Sequence, residues 1–237
     1  EKEITSLHVQ FERAAPQEKN RIREATFAKH RELEQVMDGD DTLSRQLILR
    51  SKYILGTENG PYSLDEGLSL VLEAIRLTSP KFDLDAIGRG LYTENEIKLI
   101  NNIANCYSRA GRHYDAIDVL KPPLRYLQTS LKNIPPNRAQ IPLVAYNYAR
   151  ELEIVKRFDD AIEIGEYARR ICIDYGVYTF LPDILMILAE CHYHQGNHKK
   201  STELYRQAYY LYKAIEDESN LAILRVEAKD FLGLELN

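Results

Sequence analysis

Three rows of side chains have the types and spacing to hold a ligand. Lys98, Asn102 and Asn105 are followed 45 positions on by Leu143, Asn147 and Arg150, and 40 positions later by Asp183, Ile187 and Glu190. Members of each row are three or four residues apart, so on a helix they share one face. An Asn amide carries both donor and acceptor and can grip an extended peptide main chain at two points. Asn is also only a modest helix former, so its recurrence at Asn102 and Asn147 asks for a reason. Arg150 adds a planar fork for a carboxylate, and Tyr146, with Tyr107, Tyr148 and Tyr193, would flank the same face. The alternative is that the amides satisfy neighbouring backbone or loop carbonyls and that the rings belong to the core.

The elements that must position these rows are helix pairs. The segment from Asn102 to Ile117 lies over Asn147 to Ile162 without a gap, and a third copy runs through Ile187, Ala189, Gly196, Ser201, Tyr205 and Ala208. Copies 45 and 40 residues apart are longer than the roughly 34 residues of a tetratricopeptide unit but follow its internal logic. Ala104, Ala149 and Ala189 mark close approach by the first helix of each pair, and Ala116, Ala161 and Ser201 open the second. The expected fold is all-α, a right-handed superhelical solenoid of tetratricopeptide-like pairs with a C-terminal capping helix. The first helix of each pair lines the concave groove of such an array.

Local signals fill in the rest. Apolar residues at helical spacing from Ile4 to Leu33, broken near Pro16, predict two helices or one kinked helix, which the Asp38–Asp41 stretch ends. Residues 1–40 are expected to be an N-terminal helical segment and linker, and 41–237 the repeat domain. Leu43 to Leu55 begins a degenerate first pair, whose second helix carries Gly67, Val71 and Ala74. Ser63 to Glu66 and Thr93 to Glu96 read as capping boxes. Lys121-Pro-Pro123 is expected to interrupt a helix, Asn133 to Asn137 to form a long connection, and Pro182 to open a helix. A last helix from about Leu221 to Phe231 is expected to end at Gly233.

Several chemistries leave no mark. The chain has no G-x-G-x-x-G, G-x-x-x-x-G-K-[ST], G-x-S-x-G or H-E-x-x-H motif, so no enzymatic activity and no cofactor are expected. Asp159 and Asp160 stand at a helix start, where the dipole accounts for them. His192, His194 and His198 invite a metal reading, but the Gly196-Asn197 turn separates the last two, and no metal is expected. Cys106, Cys172 and Cys191 form no C-x-x-C pair, which fits reduced core thiols in the cytoplasm. A net charge of −5 argues against a phosphate-binding face on this part of the chain. No run reaches the roughly 18 apolar residues of a membrane span, and from the opening Glu-Lys-Glu no secretory signal is expected.

From Thr93 to Leu236 the copies Asn102–Ile117 and Tyr146–Arg150, and the stretch from Leu188 to Tyr212, resemble the C-terminal tetratricopeptide domain of Gram-positive helix-turn-helix regulators, the peptide-sensing Rgg and PlcR type. The resemblance implies a cytoplasmic receptor for a short signalling peptide, gripped by Asn102, Asn105 and Asn147, in a homodimer. Ile187 departs from the pattern, which would shorten the groove or give it apolar specificity. DNA would be held by a helix-turn-helix segment ahead of Glu1. Two alternatives remain open: a non-catalytic scaffold that holds a partner protein's tail, and a Rap-like, peptide-controlled antagonist with an N-terminal helical bundle.

Overall fold

The computed structural model of the chain describes residues 2–14, 16–129 and 140–236. Among the described residues are eleven α-helices and one short 3-10 turn, with no strand. The chain divides into two compact units, Glu1–Gly111 and Arg112–Asn237.

The first unit holds α1 (Lys2–Arg13), α2 (Pro16–Val36), α3 (Thr42–Gly56), α4 (Leu64–Thr78) and α5 (Glu94–Arg109), with the 3-10 turn Leu84–Arg89 ahead of α5. The break near Pro16 therefore separates two helices. Their apolar faces close on α3 through Phe11, Ile22 and Leu55, with Leu7, Phe27 and Ile54 around them. Arg23, 8% exposed, donates to the Leu55 carbonyl at 2.6 Å and the Glu58 carbonyl at 2.7 Å. A guanidinium here satisfies carbonyls that the end of α3 leaves without a helical partner.

Both capping boxes form, Ser63 with Glu66 and Thr93 with Glu96. Glu96 does more than cap, since its other oxygen accepts from Thr78 Oγ1 at 2.8 Å and Ser79 Oγ at 2.7 Å, tying the end of α4 to the start of α5. Burial pushes its carboxyl up, yet the donors from Thr93, Ser79 and Thr78 hold it below the usual range. Helices α3 and α4 approach closely at Gly67, where an added Cβ would lie 2.5 Å from Thr57 Cγ2.

The second unit holds α6 (His113–Thr129), α7 (Gln140–Ile154), α8 (Phe158–Tyr175), α9 (Leu181–His194), α10 (His198–Ala214) and α11 (Glu218–Leu232). Each helix packs on the next in chain order, and α7 also meets α9. That places α7 and α9, the first helices of successive pairs, in one layer and α8 and α10 in the other. Ala149, Ala161, Ala189 and Ser201 are all buried to 1% or less, as the small-residue pattern requires. A Cβ at Gly165 on α8 would lie 2.8 Å from Leu188 Cδ2 on α9. Pro182 lies in the first turn of α9. Gly233, at φ +61°, closes α11 in the left-handed conformation that a residue without Cβ adopts at little cost.

One expectation fails here. Helix α6 continues through Pro122 and Pro123. Proline removes only its own N–H and crowds the preceding turn, and buried Leu120, Pro123, Leu124 and Leu127 anchor the helix on both sides of the lesion. The connection expected over Asn133 to Asn137 lies outside the described residues.

Candidate functional site

In the first unit the row on α5 is mostly engaged with its own surroundings. Lys98, half-buried, pairs with Glu94 at 2.6 Å one turn earlier. Asn102 is 7% exposed, and its Oδ1 accepts from Arg50 Nε on α3 at 3.1 Å. Asn105 is half-buried one turn on. Asn102 thus fits the alternative in which an amide serves its neighbours, and the neighbour is Arg50, which no repeat pattern singles out. Replacing Asn102 with Ala would strip a partly buried guanidinium of an acceptor. We expect a loss of about 1–2 kcal/mol of stability by urea denaturation; an unchanged midpoint would show that the pair contributes nothing.

In the second unit the rows converge. Arg150 on α7 has an exposed side chain whose guanidinium bonds to the Tyr146 hydroxyl. Tyr146 stacks on Phe180 with centroids 6.2 Å apart. Burial first, and then the Asp183 carboxylate, push its phenol up to about 12. Asp183, at the start of α9, accepts from Tyr212 Oη at 2.8 Å. Burial raises its carboxyl to about 6 although that hydroxyl pulls the other way. Glu190, two turns along α9, is half-buried and raised first by burial and then by the negative charges of Glu227 and Glu153, against Arg150.

The site is therefore one guanidinium among the carboxyl groups of Glu153, Asp183, Glu190 and Glu227, supplied by α7, α9 and α11. Burial and the neighbouring carboxylates favour the protonated form of Glu190, which can then donate to Glu227. Asn147 is half-buried on the same helix as Arg150, where its Nδ2 donates to the Leu143 carbonyl at 3.1 Å. Ile187 is 6% exposed and belongs to the core, as does Tyr148 at 7%.

Of the residues that the spacing singles out, the structure brings Tyr146, Arg150, Asp183 and Glu190 together, and Glu153 and Glu227, which the spacing does not single out, join them. Glu153 lies three residues after Arg150, so extending that row by one turn would reach it. Glu227 lies on the last helix, beyond Ala208 where the recurring pattern ends. Among the described residues, no three His, Cys, Asp or Glu side chains are placed to hold a metal ion, and no helix is long and apolar enough to cross a membrane. Cys106, Cys172 and Cys191 are buried free thiols. A shallow depression along α4, lined by Ser69, Leu72, Glu73, Arg76 and Leu77, contains none of the row residues.

No protein-family model matches the chain, and no curated protein matches it in sequence. Solved structures do. PlcR of Bacillus thuringiensis, in complex with the peptide PapR7 and DNA, superposes with a TM-score of 0.69 at 16% identity, covering 94% of this chain and 74% of that one. PlcR in its apo form gives the same TM-score at 15% identity. A putative kinesin light chain from Podosopora anserina, built of TPR-like repeats, gives 0.53 at 13% identity over 92% of this chain and 96% of that one. At such identities the likeness establishes the fold, which is that of tetratricopeptide-like helix pairs.

Proposed function

We propose that the chain is the ligand-sensing and dimerisation part of a transcription regulator and that it binds a short signalling peptide along the first helices of its pairs. The observation that carries this reading is the convergence of Tyr146, Arg150, Glu153, Asp183, Glu190 and Glu227 from α7, α9 and α11. Ionisable groups held together at partial burial, with raised carboxyl pKa values, are unfavourable for folding alone and are common where a ligand is recognised. The likeness to PlcR, solved with a peptide and with DNA, supports a regulator of that kind. In this proposal Asn147 and Arg150 grip the peptide, with Tyr146 and Glu190 beside them. The protein works in the cytoplasm as a homodimer, and a separate helix-turn-helix segment contacts DNA.

Ligand-driven regulation requires the peptide to prefer one arrangement of the helix pairs, since equal affinity for two states shifts neither. A second reading, a non-catalytic scaffold for a partner's tail, draws support from the kinesin light chain likeness, which spans nearly the whole of both chains.

Selection of displayed heptapeptides against the full chain tests the proposal. An enriched sequence is expected, and fluorescence anisotropy should show it binding about tenfold more weakly to Asn147→Ala and to Arg150→Ala, the worth of one charged or well-placed hydrogen bond. Failure to enrich any heptapeptide, together with capture of longer protein tails, would replace this reading with the scaffold.

A further inference from the structure

We infer that Glu153, Glu190 and Glu227, backed by Tyr205 and rimmed by His194 and Phe231, form a subsite for an organic cation, the ammonium or guanidinium of a Lys or Arg side chain in the bound peptide. This rests on the peptide-binding reading above and names what one part of that site selects.

Charge is the first observation. Four carboxyl groups, those of Glu153, Asp183, Glu190 and Glu227, share one guanidinium, that of Arg150. The second is an unanswered donor. Tyr205, from α10, is 0% exposed and its hydroxyl has no hydrogen-bond partner. That hydroxyl faces the same three glutamates. Buried polar groups are nearly always paired, so an orphan aimed at a carboxylate cluster calls for an explanation.

The unliganded arrangement supplies one. While Glu190 keeps its proton toward Glu227, Glu227 Oε2 and the Tyr205 hydroxyl are both left buried without a partner. An entering cation drives that proton off to solvent, and the ionised carboxylates then accept both the cation's N–H groups and the Tyr205 O–H. No group leaves, and the one bond broken is the carboxyl O–H of Glu190.

Aromatic rings complete the subsite. His194 lies four residues after Glu190 on α9, and Phe231 four after Glu227 on α11, so each ring sits one turn beyond a carboxyl on its own helix face. His194 and Phe231 have centroids 5.9 Å apart, Tyr193 and Phe231 5.1 Å, and Phe158 stacks on His194 at 4.8 Å. Carboxylates beside ring faces favour an alkylammonium or guanidinium, which gains from both. A metal ion is the poorer occupant, because these carboxyls are not placed as a ligand set.

The test uses the same heptapeptide selection, run on the full wild-type chain, on Glu190→Gln/Glu227→Gln and on Tyr205→Phe. Wild type is expected to enrich Lys or Arg about tenfold at one position, and the double variant to show no basic preference there. Replacing that Lys by norleucine in the enriched peptide should weaken binding to wild type about tenfold and leave binding to the double variant unchanged. Tyr205→Phe removes an unsatisfied hydroxyl, so the unliganded melting temperature should hold or rise while affinity for the Lys peptide falls about fivefold. Enriched peptides with no basic position, bound equally with norleucine, would overturn the subsite and leave the peptide reading standing. No enrichment at all would overturn both.

Discussion

Lowering the pH from 7 to 4 is expected to loosen the first unit at its N-terminal end well before the second. His8 on α1 and His30 on α2 are 6% and 1% exposed, and both ring Nε2 atoms meet Ser51 Oγ on α3, at 2.5 and 2.7 Å. One hydroxyl can donate to only one ring, so the other ring must donate to it. The Nδ1 atom of His30 has no partner. The least costly tautomers therefore leave that atom unprotonated, with His30 Nε2–H donating to Ser51 and Ser51 donating to His8. This network has no place for two imidazolium ions.

Burial first, then Arg50 and the other histidine, lower His8 to about 4; burial first, then Lys52, lower His30 to about 4. Because the folded values lie below the unfolded value near 6.5, the unfolded chain binds more protons between the two. Stability from these groups is complete above pH 6.5 and is lost as pH falls toward 4. We expect a loss on the order of 4 kcal/mol for the two together, allowing for partial solvent screening of the charges. Hydrogen exchange resolved by segment should show protection of α1, α2 and α3 collapsing across that window, and His8→Gln/His30→Gln should flatten the profile. In the second unit Asp183 and Glu190 have raised folded values, so their contribution runs the other way and is lost as pH rises. A pH-independent α1–α3 would contradict the buried network.

The other large effect concerns the small residues. Ala161 and Ala189 are 0% exposed where α8 and α9 pack, and the neighbouring Gly165 already stands within 2.8 Å of Leu188 for an added Cβ. Enlarging either Ala to Leu adds three carbons to a filled interface, and we expect a cost of about 3 kcal/mol each by urea denaturation. Ala222→Leu on the exposed side of α11 serves as the control and should change stability by less than about 0.5 kcal/mol. Equal, small effects at all three positions would mean that the pairs do not rely on close approach.

How far the sequence alone reaches is visible in these residues. Ala149, Ala161, Ala189 and Ser201 are legible because close helix contact admits only small side chains, and that constraint repeats with the pair. The capping boxes at Ser63 and Thr93 are legible because their chemistry is local, confined to four residues. The path of α6 through Pro122 and Pro123 is not, because burial of Leu120, Leu124 and Leu127 overrides a local penalty and is a property of the whole unit. Asn102 shows the same limit in the site. Spacing puts it in a row with Lys98 and Asn105 but cannot reveal that Arg50, 52 positions earlier, already occupies its carbonyl oxygen. Glu227 and Tyr205 meet Glu190 only once α10 and α11 have packed, so no spacing within one helix announces them.

The central claim, that α7, α9 and α11 form a peptide-binding face, is tested most directly by hydrogen exchange of the full chain with and without a selected heptapeptide. Protection is predicted across Gln140–Ile154, Leu181–His194 and Glu218–Leu232, with α8 and α10 changing less. Protection confined to α8 and α10, or none at saturating peptide, would contradict it.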